Sequence, residues 1–438
     1  FRGVFPFLRF SPSLSFSLFA RRASLSSLAL RPGATMSGGA ADETDTAASD
    51  TLRAVLVPVT DERCSDQPWS PDQPTASHIG YIELNRPAAL NALDVRMVED
   101  MLKAMHAWRA RRDVAGVVIR SVGSPDRRPV FCAGGDVKQV VERGLRGDVE
   151  WGLRYFRSEY HLNMTLATLA ACTAGGMDVV AINDGITFGG GVGISIHNKY
   201  QVCTENTIFA MPECPIGLFP DVGGSYFLSR RGAMGVYLAL CGARLHGMDV
   251  KRAGFATHYV HSSHIPGVMR AIARHGDIRA ALDEGERLSV EGEWLSAEGS
   301  GVARFPFDIG LEEVFGYTSV ETIAEACRRK AEAGGEFWVE ALALLRRGSP
   351  TSLRVTLELL RRGRSMPLSE CLMQENRVIQ RLTRDTDSDF YRGVCARLVR
   401  KSSGEPAWGP VRDAVSLLEP LEPQYELQLG TRCVSHKL

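Results

Sequence analysis

The order in which strand and helix periods follow one another sets the tightest limit on how this chain folds. "HIGYIELNRP" (78–87) shows strand-like alternation at Ile79, Tyr81, Ile82 and Leu84, then a turn. "DVRMVEDMLKAMHAWRARRD" (94–113) brings Met97, Met101, Met105 and Trp108 to one helical face. "GVVIRSV" (116–122) and "DVVAINDG" (178–185) are β-branched runs that suit buried strands. "VYLALCG" (236–242) is apolar on helical spacing and stops at Gly242, a helix C-cap. The alternation runs to about residue 260, so the expected class is α/β.

From about 266 to 400, helix signals dominate. Thr318 with Glu321 has the capping-box spacing. "SPTSLRVTLELLRRG" (349–363) sets Ser349 at an N-cap, Pro350 at the first helical position and Gly363 at the end. "EFWVEALALLRRG" (336–348) also reads as a helix. The expected division is an N-terminal segment at 1–50, a core at 51–265, a helical region at 266–410 and a tail at 411–438.

The first 35 residues hold five arginines, many serines and no acid, a composition similar to an organelle transit peptide. The rival reading is translated upstream sequence, since residue 1 is Phe and the first methionine is Met36. "MSGGAADETDTAASD" (36–50) then reads as a disordered, acidic tail. The final "SHKL" differs by one residue from the peroxisomal Ser-Lys-Leu signal. Mitochondrion is the expected compartment, with peroxisome the alternative.

Lys plus Arg and Asp plus Glu both number 51, so formal charge is zero and neither nucleic acid nor an anionic membrane is an expected partner. No apolar run reaches the roughly 18 residues of a membrane span. The ten cysteines form no CxxC pair, which argues against a zinc site or disulfide framework. His258, His261 and His264 are loosely clustered without a flanking set of acids, so no metal site is expected.

Three segments could carry chemistry. "VFCAGGDVKQVVERG" (130–144) and "GITFGGGVGISIH" (185–197) set glycines where a strand or loop feeds a helix. First-turn amides have no partner inside their helix, and two from different loops can grip one developing oxyanion. The bland readings are a turn and a nucleotide loop, but "GGGVGI" lacks the full G-x-G-x-x-G spacing and a Walker lysine. "AMPECPIGLFPDVGG" (210–224) places Glu213 and Asp221 among prolines, glycines and apolar residues. Asp221 reads either as a cap for a helix starting near Ser225 or as a functional acid. Glu213 in an apolar pocket would be pushed toward neutral pH, where a carboxyl can trade protons. Cys214 reads as a small buried filler.

Together with "IELNRPAALNALDVRMV" (82–98), "EYHLN" (159–163), "GLFPDVGG" (217–224) and the long helical C-terminus, these segments resemble the crotonase (enoyl-CoA hydratase/isomerase) superfamily over about residues 78–410. Within it they are most similar to the branch that hydrolyses 3-hydroxyacyl-CoA thioesters in valine breakdown. The resemblance implies a crotonase-type ββα spiral with a helical C-terminal extension covering the acyl pocket. It implies oxyanion amides at Gly135 and Gly190 and catalytic carboxylates at Glu213 and Asp221. It implies substrate contacts at Glu159, Ala89, Leu90, Ala133, Asp136 and Gly189. No metal or redox cofactor is implied; CoA enters as part of the substrate, and a homo-oligomer is possible.

Hydratases of this family carry a second glutamate three residues after the oxyanion glycine; Gly193 stands there in this chain. An isomerase, or a non-catalytic crotonase-fold subunit of a mitochondrial ribosome, are the other readings. The chain departs from the hydrolase pattern at Ala89 for the common Lys, Asp184 for His, Arg392 for Glu, and in a longer segment at 170–184.

Overall fold

The structure, a computed structural model, describes residues 48–49, 51–60, 78–123, 128–171, 177–293, 305–402 and 404–429. The expectations for the leader at 1–35 and for "SHKL" lie outside the described residues, as does most of the longer 170–184 segment's turn, at 172–176.

Two sheets organise the first half. The larger contains β1 (Ala48–Ser49), β2 (Leu52–Pro58), β3 (His78–Leu84), β4 (Val114–Ser121), β6 (Asp178–Asn183), β8 (Tyr200–Cys203) and β11 (His258–Tyr259), side by side in that order. The smaller runs β10 (Leu245–His246), β9 (Ile208–Ala210), β7 (Ile186–Phe188), β5 (Val130–Cys132). From β3 onward the large sheet is parallel. Parallel neighbours need a crossover between them. The β3–β4 crossover is made by α1 (Val95–Arg109), and each later one passes through the small sheet and then a helix. β4 leads to β5, then α2 (Val137–Gly144) and α3 (Val149–Ala171); β6 leads to β7 and α4 (Gly190–Ile196); β8 leads to β9, then α5 (Gly224–Phe227) and α6 (Gly232–Cys241). This is the expected ββα spiral.

The helix ends follow local chemistry. Asp94 caps α1 (Val95–Arg109) by accepting from Met97 N at 2.9 Å, and Met97, Met101, Met105 and Trp108 are buried as their spacing requires. Gly242 ends α6 in a left-handed conformation, its amide donating to Leu238 O. After α7 (Met248–Arg252), α8 (Ile265–His275) and α9 (Ile278–Glu293) cover the outer face of the large sheet. Val268, Ile272, Ile278 and Leu282 pack there on Ile79, Val118, Val180 and Val202.

The remaining helices are α10 (Glu312–Phe315), α11 (Val320–Glu332), α12 (Glu336–Arg346), α13 (Pro350–Gly363), α14 (Leu368–Arg384), α15 (Asp389–Val394) and α16 (Ala414–Leu417). Their buried side chains join one continuous core with α1, α3 and α6. Ser349 caps α13 through Ser352 N at 3.1 Å, as its sequence predicts. The capping box at Thr318 is a correction: Ser319 caps α11 instead, accepting from Thr322 N, while Glu321 is engaged by Arg354. Two adjacent hydroxyls offered two registers, and the extended backbone at Ser319 selects the second.

Gly217 ties the halves together. It holds φ 75°, and any Cβ there would enter the Asp389 carbonyl and come 2.7 Å from Phe390 N. Gly147 has a similar φ of 90° with open space around it. Gly217→Ala is therefore expected to cost about 2–4 kcal/mol, and Gly147→Ala about 1 kcal/mol, from strain alone. Denaturant midpoints of the two variants check the difference.

Candidate active site

The two glycine loops close on a single helix, α3. A Cβ on Gly135 would strike the Tyr155 hydroxyl and approach Tyr155 Cζ to 3.1 Å. One on Gly190 would strike Glu159 Oε1 and lie 3.1 Å from Gly135 N. One on Gly193 would lie 3.0 Å from Asn163 Nδ2 and 2.7 Å from Val222 Cβ. Tyr155, Glu159 and Asn163 recur every four residues, so they share one face of α3. All three are buried; Tyr155 and Glu159 interact with each other, and among the described residues both amide atoms of Asn163 have no hydrogen bond. Neither the Gly135 nor the Gly190 amide donates to a backbone carbonyl among the described residues. Two adjacent free donors from different loops form a geometry able to hold one carbonyl oxygen.

Glu213 follows β9 and Pro212. Its carbonyl accepts from Ile216 N (3.0 Å) and Leu218 N (3.2 Å), which fixes the turn and with it the side chain. Gly189, at φ 48°, admits the carboxyl: a Cβ there would sit 2.6 Å from Glu213 Oε1. Among the described residues, Glu213 Oε2 is buried and has no hydrogen bond. Asp221 accepts from the Tyr160 hydroxyl at 3.0 Å. Glu159, Glu213 and Asp221 all line one cavity of about 1020 Å³. α12 and the turn at 395–399 supply part of its wall, including Leu344, Arg347 and Arg397.

Burial is the main force on these acids. It pushes Glu213 well above the ordinary carboxyl range, and the Asp221 charge adds to it. Glu159 is raised in the same way, by burial and then by Asp221. Asp221 is pushed up to about 7 by burial, against the Tyr160 hydrogen bond, which favours its charged form.

Of the residues singled out in the sequence, Gly135, Gly190, Glu213, Asp221, Glu159, Ala133 and Gly189 line the cavity together. Ala89, Leu90 and Asp136 are not among the residues that line it. Leu90, 47 % exposed, accepts from Ala133 N at 3.0 Å and so braces the Gly134–Gly135 loop. Asp136 caps α2 through Gln139 N and pairs with Arg86 at 2.8 Å. Asp221 caps no helix: its carboxylate meets Tyr160, and the amides at the start of α5 turn instead to Glu375. Cys214 is buried and its thiol is pushed up to about 12, which suits a filler. His258 meets Asp283 (3.1 Å) and Thr257, and His261 meets Glu205 (3.6 Å). Asp184 accepts from Thr204 and Asn206, and Arg392 donates to the Asp387 and Ala407 carbonyls.

Sequence reasoning missed Tyr155, Tyr160, Asn163 and Glu375. A signal existed for three of them: polar residues spaced by four inside apolar α3, and a lone acid in the apolar face of "CLMQENRVIQ" (371–380).

The ββα spiral and its paired glycine loops define a class, and comparison with known proteins agrees. The chain belongs to the enoyl-CoA hydratase/isomerase family, whose model matches residues 79–416. It is 38 % identical to the mitochondrial 3-hydroxyisobutyryl-CoA hydrolase of Xenopus tropicalis over 352 residues, covering 79 % of this chain and 84 % of that one. It is 36 % identical to the small ribosomal subunit protein mS47 of Neurospora crassa, covering 75 % of this chain and 65 % of that one. Among solved structures, a carnitinyl-CoA dehydratase from Mycobacterium thermoresistibile shares 31 % identity at a TM-score of 0.67, covering 81 % of this chain and 97 % of that one.

The raised carboxyl of Asp221 has a consequence for stability. Unfolded, it titrates near 3.8; folded, near 7. The folded state therefore loses stability as pH rises through that window, because a buried charge must form. Asp221→Asn is expected to raise the melting temperature by roughly 2 °C or more at pH 8, and by less at pH 5. Thermal melts at the two pH values check the sign.

Proposed function

We propose that this protein hydrolyses 3-hydroxyisobutyryl-CoA, and with it 3-hydroxypropionyl-CoA, to the free acid and CoA in valine breakdown in the mitochondrion. The observation that carries the reading is the meeting of Glu213 and Asp221 with the free amides of Gly135 and Gly190 in one cavity. The name and compartment of the Xenopus relative support the substrate and the location.

The thioester carbonyl oxygen sits between the Gly135 and Gly190 amides, whose dipoles favour the negative charge that grows there. Burial raises both Glu213 and Asp221 above the ordinary carboxyl range. Glu213 in its ionised form removes a proton from the attacking water, or attacks the carbonyl carbon itself to form an anhydride whose bond to the acyl carbon water then breaks. The carbon–sulfur bond breaks, and Asp221 passes its proton to the departing sulfur. One water is consumed, and one acid and one thiol are released. Tyr160 keeps Asp221 oriented through the proton transfer. Arg244, Arg347 and Arg397 line the same cavity and suit the phosphates of CoA.

A hydratase is disfavoured by what surrounds Gly193. Val222 presses on the place a second glutamate would leave from, so no acid fits there without moving the Asp221 turn. A non-catalytic ribosomal role would require neither buried acid, yet both acids and both glycines are in place.

The test is thiol release from a panel of 3-hydroxyisobutyryl-, 3-hydroxypropionyl-, acetyl- and crotonyl-CoA. Turnover of the 3-hydroxy thioesters is expected, with Glu213→Gln and Asp221→Asn each lowering kcat by about 100-fold or more. Absence of release from every thioester by folded protein would overturn the reading. The pH profile gives a second check. Activity needs Glu213 ionised and Asp221 protonated, so kcat/KM should pass through a maximum with pH. In Asp221→Asn the fall at high pH should be lost from the residual activity, because Asn has no proton to lose.

A further inference from the structure

Asp221 opens a turn that the backbone does not favour. Val222 holds φ 50° and Gly223 φ 84°, two left-handed residues in succession. For a β-branched residue this conformation is strained, and such strain persists only where the surroundings hold it. The holding groups are visible. Gly223 N donates to Glu375 Oε2 at 2.8 Å; Ser225 N (3.0 Å) and the Ser225 hydroxyl (2.5 Å) both donate to Glu375 Oε1. Val222 O accepts from His197 Nε2 at 2.7 Å, which sets the proton of that ring on Nε2. The Val222 side chain is fully buried and bears on Gly193.

Glu375 itself is fully buried on α14, far along the chain from the turn it holds. A carboxylate here replaces the usual side-chain cap of α5, whose own N-cap is Gly223 and supplies no oxygen. Without it, two amides and a hydroxyl would be left unpaired in the core, and the left-handed turn would be free to relax. Relaxation at Val222 would shift the neighbouring Asp221 relative to Tyr160, its hydrogen-bond donor.

We propose that Glu375 is a positioning residue for catalysis: it pins the strained Val222–Gly223 turn and thereby aims the Asp221 carboxyl into the cavity. The proposal rests on the reading of Asp221 as a catalytic acid. It gives the C-terminal helical region a part in the chemistry beyond lining the pocket.

A double-mutant cycle on the full chain tests it, using 3-hydroxyisobutyryl-CoA as substrate and kcat normalised to folded protein. Glu375→Gln is expected to lower kcat by about 10- to 100-fold, as a small misplacement of a reacting group does. KM should change by less than about threefold, since the substrate-lining residues are untouched. Val222→Gly removes the reason the turn needs holding. In that background the further loss from Glu375→Gln should shrink to about threefold or less. A merely structural Glu375 would lower the yield of folded protein while leaving kcat per folded molecule, and would show no coupling to Val222. An unchanged kcat in folded Glu375→Gln, or an equal penalty in both backgrounds, would overturn the proposal. If Glu375→Gln does not fold, Ser225→Ala removes one donor from the same carboxylate and carries the same cycle. Asp221→Asn run alongside separates the two ideas. If it retains full turnover, the reading of Asp221 fails. If it loses turnover while the Glu375 cycle shows no coupling, the positioning role alone fails.

Discussion

The whole site depends on close approach. Backbone amides of two loops lie against polar side chains of α3, and hydrogen is the largest substituent that fits between them. At Gly135, Gly190 and Gly193 the missing Cβ is what allows Tyr155, Glu159 and Asn163 to reach the loops. At Gly189 it is what admits Glu213. A side chain at any of these positions would push the main chain and the facing side chain apart. The glycines are thus the means by which one rigid helix sets the geometry of two separate loops.

That arrangement works against stability. Glu159, Glu213, Asp221 and Glu375 are all buried, and burial raises each of them. A core that contains four such carboxyls must be held by something other than their mutual interactions. The support comes from α3, α13 and α14, whose apolar faces join the same core as the β-sheets. Gly363 shows how close this packing is: a Cβ there would enter the Ser225 carbonyl, just beyond the Asp221 turn. The acids are positioned by rigid neighbours, which is also what keeps them poised for proton transfer.

Much of this was legible in the sequence, and the reasons differ by residue. The strands β3, β4 and β6, Gly242 and Ser349 depend on local backbone chemistry, and local chemistry is written in adjacent letters. Glu213 and Asp221 stood out because acids do not belong in apolar, proline-rich segments without a reason. Contacts that join distant parts were not legible. Tyr160 reaches Asp221 across 61 positions and Glu375 reaches Ser225 across 150, and neither spacing has a period. Asp136 shows the same limit: its pairing with Arg86, 50 positions away, has no local signal. The two-residue strands β10 and β11 exist through pairing with β9 and β8 and have no signal of their own.

The Glu375 contact also bears on the order in which the protein is made. Both glycine loops and both acids emerge within the first 221 residues, yet the carboxylate that holds the Asp221 turn lies at 375. Arg347 and Arg397 of the cavity wall are likewise late arrivals. A chain leaving the ribosome therefore carries all of its reactive groups well before it has the parts that aim them. A nascent or prematurely terminated product would have an open cleft and an unrestrained turn. The groups that act therefore precede in the chain the groups that aim them, and the two sets meet only once α14 docks.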